Sequence, residues 1–152
     1  PVIQLFGEWI VKEDTSLNRE AIASIVFKDP EMLKKLDAII HPAVKKYILK
    51  EIEKSKKEET EFFFIESALL LEEKYDEICD EMWYIYCEKE VRMERLRHDR
   101  GYSDEKIQRM MANQLPDEEF EARCDFQLYN DEDVAHTYLQ IERKMRTYYE
   151  FM

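Results

Sequence analysis

The sequence predicts an α/β fold that is built around a parallel β-sheet. Two continuous apolar runs, Phe62–Ile65 and Met82–Cys87, are typical of strands buried on both faces, and Phe126–Tyr129 is a weaker third run. Segments whose apolar residues recur at helical spacing separate these runs. Strands that alternate with helices favour a parallel sheet. Three strands are few for 152 residues, as expected of a sheet that lacks its central strand and first crossover.

Composition predicts one globular domain and excludes several classes of partner. The chain is 45% apolar and carries a net charge of −12, so it is not expected to bind nucleic acid or an anionic membrane, which need clustered Lys and Arg. No apolar run in the sequence approaches the roughly 20 residues of a membrane helix. The three cysteines form no CxxC pair and the three histidines no HxxxH pair. That pattern is typical of a reduced, intracellular protein without a metal site that the sequence reveals.

The first half of the chain is predicted to be helical. Apolar residues at helical spacing predict a helix over Leu17–Phe27. The pair Asp29-Pro30 starts the next helix, with Asp as N-cap and Pro in the first turn. The pair His41-Pro42 is expected to end that helix and to start a third. The charged tract Lys54–Glu59 has no apolar residue and is interpreted as a solvated helix end or a loop.

The second half alternates helices with the two later apolar runs. Gly101 allows the first of these helices to end in a left-handed residue, and Ser103 is a candidate N-cap for the second. The predicted helices are Glu88–Asp99, Ser103–Ala112, Asp117–Arg123 and about Asp131–Tyr149.

A carboxylate directly follows the first apolar run. If Phe62–Ile65 is a strand, Glu66 lies at the carboxyl edge of the sheet, where open α/β sheets place their ligands. There it could orient a substrate hydroxyl or hold a metal-bound water during phosphoryl transfer. The alternative, that Glu66 merely ends the strand and caps the next turn, is equally consistent with this segment.

Basic residues recur on the predicted helix after Met82–Cys87. Arg92, Arg95 and Arg100 are spaced so that their guanidinium groups could neutralise charge on a transferred phosphoryl group. A solvated helix face with ion pairs between neighbouring turns explains them equally simply, and without other evidence it is the preferred interpretation. His41, as a lone histidine, is more often a structural residue at a helix junction than a catalyst.

The sequence has no phosphate-binding loop. Its only two glycines, Gly7 and Gly101, cannot form a GxxxxGK[ST] motif, whose glycines let successive backbone N–H groups close around a phosphate. This segment therefore lacks the group that normally holds a nucleoside triphosphate.

Together, the segments resemble the dephospho-coenzyme A kinase family in order and spacing. The resemblance covers nearly the whole chain and rests on these motifs: Leu17–Ile22, Leu33–Pro42 ending in His-Pro, Glu66–Glu72, Arg95–Ser103 followed by Asn113-Gln114, and Cys124–Phe126 with Asn130. Three departures stand out: Glu66 replaces the usual Asp, Ala68 replaces the usual Pro, and Asp99-Arg100 stands where many relatives read Arg-Asp. The family's phosphate loop and its Asp-Ala-Asp segment, which contains the expected general base, are absent.

The resemblance implies a P-loop kinase-like, three-layer α/β/α fold with its N-terminal strand and phosphate loop missing. Residues 1–152 would form a single partial kinase domain, with a helical acceptor-binding region at about 14–58, a lid at about 88–115, and a core made by the remainder. It also implies that ATP and Mg²⁺ are used to phosphorylate the ribose 3′-hydroxyl of dephospho-CoA, so the partners are small molecules.

By the same resemblance, nine residues are assigned to the site. Glu66 and Arg100 would be catalytic; Arg19, His41, Leu70 and Glu72 would bind the acceptor; Arg97, Gln114 and Asn130 would serve the lid and the nucleotide; none is assigned to a metal. Because the loop and the base are absent, this segment alone is expected to be inactive. The alternative function is a non-catalytic acidic scaffold, or degenerate relative, that acts by binding proteins. An incomplete sheet would also leave an exposed edge liable to self-association.

Overall fold

The computed structural model describes residues 1–150, which form two compact units, Pro1–Glu66 and the residues from Ser67 onward. The first unit contains helices, a short bridged loop and an irregular stretch that ends at Glu66. The second contains the sheet and four helices. In chain order the elements are α1 (Val2–Phe6), α2 (Arg19–Val26), α3 (Pro30–Lys57), β1 (Trp83–Tyr86), α4 (Lys89–Arg100), α5 (Asp104–Ala112), α6 (Asp117–Arg123), β2 (Phe126–Tyr129) and α7 (Val134–Glu150).

The first unit packs around a small apolar core. Phe6, Ile10 and Ile22 are buried, and half-buried apolar residues of α1, α2 and α3 surround them. Ile10 belongs to a 3-10 turn at Glu8–Ile10. A tight loop follows, closed by an isolated antiparallel bridge between Val11 and Leu17. The core therefore holds this loop against the start of α2.

Helix α3 is one continuous helix of 28 residues, and the predicted break at His41-Pro42 is wrong. Its start is as predicted, because the Asp29 carboxylate accepts hydrogen bonds from the backbone N–H groups of Glu31 and Met32 at 3.0 and 3.1 Å. Pro42 lies inside the helix. It removes one backbone donor, but helix forms on both sides and continues through it. The charged tract ends the helix at Lys57, as one of the two interpretations expected.

The second unit contains a parallel two-stranded sheet, which confirms the predicted fold class. β1 pairs with β2 in the register Trp83↔Phe126 to Tyr86↔Tyr129. Aromatic pairs line the ladder, with ring centroids 5.0 Å apart for Trp83 and Phe126. Tyr84 and Leu128 are the buried residues of the two strands. The two later apolar runs therefore form the strands that the sequence predicts.

The predicted third strand, Phe62–Ile65, is not a strand in this structure. Residues 62–67 have no regular secondary structure, and within residues 1–150 the sheet consists of β1 and β2 alone. Phe63 and Phe64 are exposed, and the rings of Phe62 and Phe64 stack at 6.2 Å. A strand exists only where a neighbour supplies a hydrogen-bonding ladder, and apolar, β-favouring residues do not supply one themselves.

Local capping signals mark three helix ends in the second unit. Gly101 follows α4 in the left-handed conformation, at φ 62°, and the Ser103 hydroxyl accepts from Lys106 N–H at the start of α5. The last helix begins at Val134 instead of Asp131. The Asp133 carboxylate accepts from His136 N–H at 2.8 Å, which places the cap at Asp133. In the described part of the chain, no helix is both long and apolar enough to cross a membrane.

Candidate functional site

The carboxyl ends of both strands meet at one edge of the sheet, as parallel pairing requires. Asn130 directly follows β2, and its N–H donates to the carbonyl of Tyr86, the last residue of β1, at 2.8 Å. The N–H of Glu88 donates to the Asp131 carboxylate. These long-range bonds hold the segment after β2 against the segment after β1. This edge is where open α/β sheets bind ligands.

Arg95 of α4 fixes the backbone of that edge. Its guanidinium donates to three successive carbonyls, at 2.5 Å to Asn130, 3.4 Å to Asp131 and 3.2 Å to Glu132. A fourth contact joins the same guanidinium to the Cys87 thiol at 3.8 Å. Arg95 therefore serves the loop after β2, a role that the sequence analysis missed. Its partners lie 35 to 37 residues away, so no local pattern could reveal them.

The Asn130 side chain opens onto a small cavity of about 210 Å³. The Thr137 hydroxyl donates to the Asn130 amide oxygen at 3.3 Å, which orients the side chain. Apolar groups dominate the remaining wall, which is formed by Val134, Tyr138 and Ile141 of α7. The cavity has the mixed polar and apolar lining of a small-molecule site, but its volume is below the range of about 300–1,000 Å³ that such sites usually occupy.

The last turn of α4 and the start of α5 place the predicted lid arginines. Arg97 forms an ion pair with Asp104, with Nε and Oδ1 2.5 Å apart, and this hydrogen bond raises the pKa of Arg97. Arg100 ends α4 and is exposed. Gln114 is also exposed, just beyond α5. Neither the Arg100 nor the Gln114 side chain has a hydrogen bond or ion pair with residues 1–150. Arg97 is thus engaged, whereas Arg100 is available to a ligand.

Arg92 does not join the other arginines of α4. It lies 3.7 Å from Asp117 of α6, and its Nε is buried without a hydrogen-bond partner in the described chain. The Tyr84 hydroxyl donates to the same Asp117 carboxylate at 2.7 Å. Burial, and then the bond to Asp117, raises the pKa of Tyr84, so its hydroxyl stays protonated. This cluster is structural and packs α6 on the sheet.

The segment that was predicted to carry the strand-end carboxylates divides between the two units. Glu66 is exposed and ends the first unit. Leu70 is half-buried and Glu72 exposed, and both lie in turns of the second unit. Arg123 of α6 holds these turns by donating to the Leu71 carbonyl at 3.3 Å and to Asp76 at 2.7 Å. Glu72 therefore sits on an anchored turn, whereas Glu66 follows irregular chain.

The remaining two predicted residues lie in the first unit. Arg19 is exposed in the first turn of α2 and lines a surface cavity. His41 lies midway along α3, half-buried, with its Nε2 3.7 Å from the Asp37 carboxylate one turn earlier. His41 is not among the residues that line the cavity of Arg19. The structure thus places Arg19 and His41 in the same unit but shows no contact between them.

No group of three potential ligands could hold a metal ion by protein atoms alone among residues 1–150. Mg²⁺ in kinases usually takes one or two carboxylates and completes its octahedron with phosphate oxygens and water. Glu66 is an exposed carboxylate that could hold a water of such an ion.

Comparisons with known proteins identify the family of this chain. A family model described as dephospho-CoA kinase matches residues 1–136. The dephospho-CoA kinase of Aquifex aeolicus is 36% identical over 142 residues, which is 93% of this chain and 71% of that protein. That of Symbiobacterium thermophilum is 32% identical over 145 residues, 95% of this chain but only 61% of the relative's length. The chain therefore spans about two thirds of such relatives.

Solved structures show the same fold. The crystal structure of TT1252 from Thermus thermophilus superposes with a TM-score of 0.74 at 27% identity, covering 96% of this chain and 74% of that one. A dephospho-CoA kinase from Campylobacter jejuni superposes with a TM-score of 0.69 at 22% identity, covering 95% of this chain and 72% of that one.

Proposed function

The chain belongs to the dephospho-CoA kinase family, and on that premise we propose that the protein transfers the γ-phosphoryl group of ATP to the ribose 3′-hydroxyl of dephospho-CoA, the last step of coenzyme A biosynthesis. The family match over residues 1–136 carries this proposal, because it contains every site residue that the sequence analysis names. The partners are then two small molecules, and the enzyme works in the cytoplasm.

Four residues are proposed to bind the acceptor: Arg19, His41, Leu70 and Glu72. Arg19 and His41 belong to the helical region at about 14–58 and recognise the acceptor's polar groups. Leu70 offers an apolar contact, and Glu72 lies on the turn that Arg123 anchors. Glu66 accepts a hydrogen bond from the reacting hydroxyl and so orients it. Positioning of this kind supplies much of the rate in phosphoryl transfer.

The lid at about 88–115 supplies charge to the transition state. The hydroxyl oxygen attacks the γ-phosphorus, the bond to the bridging oxygen breaks and ADP leaves. The hydroxyl proton passes to the general base that the resemblance assigns to the Asp-Ala-Asp segment, which residues 1–152 do not contain. Arg100, which has no ion-pair partner in residues 1–150, stabilises the charge that develops on the phosphoryl oxygens. Arg97 contributes in the same way once its ion pair with Asp104 is replaced by one with a phosphate group. Asn130 and Gln114 lie on the nucleotide side.

Mg²⁺ would be carried mainly by the phosphates of ATP. Glu66 would hold a metal-bound water, and no residue of this chain is proposed as a direct ligand. The ion would neutralise phosphate charge during transfer.

Residues 1–152 by themselves should not catalyse the reaction. They contain no GxxxxGK[ST] loop, and successive N–H groups of such a loop hold the triphosphate. We expect no ATP-dependent phosphorylation of dephospho-CoA by this segment. Turnover by these residues alone would contradict this part of the proposal.

A fusion tests the activity directly. Residues 1–152 joined to a unit from the Aquifex aeolicus relative that carries both the phosphate loop and the Asp-Ala-Asp segment should form ADP only when dephospho-CoA is present. Arg100→Ala in the fusion should lower kcat by roughly 100-fold, as loss of one charge-stabilising donor does. Glu118→Gln on α6, which removes an exposed charge from a residue outside the proposed site, is the control and should leave kcat unchanged. A fusion that folds and binds ATP but ignores dephospho-CoA would refute the proposed reaction.

The alternative, an acidic scaffold that binds proteins, makes a different prediction. The net charge of −12 is its support. A scaffold should not bind dephospho-CoA in a calorimetric titration, whereas a retained acceptor site should.

A further inference from the structure

The first unit contains a cavity of about 460 Å³ at the start of α2. Its volume lies in the range of about 300–1,000 Å³ that small-molecule sites occupy. The lining residues are Lys12, Ser16, Leu17, Arg19 and Glu20. Of these, only Arg19 was assigned to a site from the sequence.

The backbone around the cavity is held firmly. Lys12 N–H donates to the Ser16 carbonyl at 2.8 Å, and Asn18 N–H donates to the carbonyl of the fully buried Ile10 at 2.7 Å. The bridge between Val11 and Leu17 closes the same loop. Lys12 and Arg19 are therefore presented from a loop and a helix that share one core, which limits the entropy lost when a ligand binds.

Two cations in the cavity have no acidic partner in the described chain. Neither Lys12 nor Arg19 forms an ion pair with residues 1–150. The nearby Asp14 carboxylate is already engaged, since it accepts from the Ser16 hydroxyl at 2.6 Å and from Ser16 N–H at 2.9 Å. The one acid that lines the cavity is Glu20. In a chain of net charge −12, a concave surface with two unpaired cations favours an anionic ligand.

We propose that this cavity binds the pyrophosphate group of the acceptor, with Lys12 as a further substrate-binding residue beside Arg19. This inference rests on the proposed function and assigns one chemical group of dephospho-CoA to one place. The pyrophosphate carries two negative charges at neutral pH and joins the adenosine to the pantetheine arm. Contact with Lys12 and Arg19 compensates both charges, and Glu20 opposes the binding.

Calorimetric titrations of residues 1–152 test the assignment with four probes: dephospho-CoA, inorganic pyrophosphate, pantetheine and ATP. Lys12→Ala should weaken the binding of dephospho-CoA and of pyrophosphate about fivefold, which corresponds to the loss of one solvent-exposed ion pair. Glu20→Gln should raise the affinity for both ligands about twofold to fivefold, because it removes a negative charge that repels them. Pantetheine affinity should not change. Lys28→Ala is the matched control, because it removes the same charge from an exposed residue outside the cavity.

The outcomes separate this inference from the proposed reaction. The assignment is overturned if Lys12→Ala changes the affinity for dephospho-CoA no more than Lys28→Ala does. It is also overturned if Lys12→Ala weakens the binding of ATP as strongly as that of dephospho-CoA. Absence of binding by both dephospho-CoA and pyrophosphate also overturns it. If pyrophosphate binds with the expected Lys12 and Glu20 dependence while dephospho-CoA does not, the anion site stands and the acceptor identity fails. Activity of the fusion protein decides the reaction independently of all these results.

Discussion

Replacement of Arg95 should selectively destabilise the second unit. Its guanidinium donates to the carbonyls of Asn130, Asp131 and Glu132. The bond to Asn130, at 2.5 Å, is partly buried, so its loss should cost about 1.5–3 kcal/mol, as expected for a charged donor. The other two bonds are longer, and the bond to Glu132 is exposed, so water can replace much of what they contribute. The expected total for Arg95→Ala is therefore roughly 2–3 kcal/mol.

Arg95→Lys should recover only part of this loss. An ammonium group can bond one of the carbonyls, but it lacks the planar fork that reaches all three at once. We expect a destabilisation of about 1–2 kcal/mol, most of it from loss of simultaneous contacts.

Tryptophan fluorescence can report each unit separately, because Trp9 lies in the first unit and Trp83 begins β1 in the second. In a Trp9→Phe background, urea unfolding followed by Trp83 should show a midpoint lowered by roughly 1–2 M for Arg95→Ala, given urea slopes of about 1–3 kcal/mol/M. The slope itself should not change.

Arg100→Ala is the matched control for this measurement. It removes the same group from the same helix, but its side chain is exposed and has no hydrogen bond within residues 1–150. Its effect should stay within about 0.5 kcal/mol. If Arg95→Ala shifts the Trp83 transition no more than Arg100→Ala does, the three carbonyl contacts do not stabilise the sheet edge and the reasoning is wrong.

Three further changes have definite expected results. Burial alone would raise the pKa of Glu81, but its hydrogen bonds with Lys144 and Tyr148 bring the pKa below its ordinary value of 4.5, so the ionised carboxylate stabilises the fold above pH 4.5 and this stabilisation is lost as the pH falls through the lower folded-state pKa. Glu81→Gln should therefore lower the unfolding free energy by about 1–2 kcal/mol at pH 7 and make it depend less on pH in the acid range. Urea unfolding from pH 3 to 7 measures this effect, and an unchanged pH dependence would contradict the prediction. Pro42→Ala should raise the thermal midpoint of helix α3, because the substitution restores a backbone donor inside the helix. Far-ultraviolet circular dichroism measures this midpoint, and a lower value would show that Pro42 is needed there. Ile107→Ala removes a fully buried side chain and should cost about 2–5 kcal/mol by the Trp83 signal, whereas a cost below 1 kcal/mol would mean that the site is loosely packed.

Local signals in the sequence predicted much of the secondary structure. Asp29 and Ser103 cap the helices that they were expected to cap, and Gly101 is left-handed after α4. The strands at Met82–Cys87 and Phe126–Tyr129 form where the apolar runs indicate. The helix caps depend on residues within about four positions of each other, so the sequence contains all the information that they need.

Two predictions failed because they treated a local signal as sufficient. Phe62–Ile65 has the residues of a strand, yet within residues 1–150 the ladder joins only β1 to β2. Pro42 was expected to break a helix, yet helix on both sides continues through it. In both cases the outcome depends on neighbouring structure more than on intrinsic preference.

The site shows the same division. Motif order and spacing determined the family and named nine candidate residues, whose roles remain predictions. Only the tertiary structure decided that Arg95 holds the loop of Asn130, that Arg97 pairs with Asp104, and that Lys12 shares a cavity with Arg19. Residue types and their spacing are properties of the chain, whereas hydrogen bonds across 35 residues and the pairing of charges arise only when folding brings distant groups within about 3 Å.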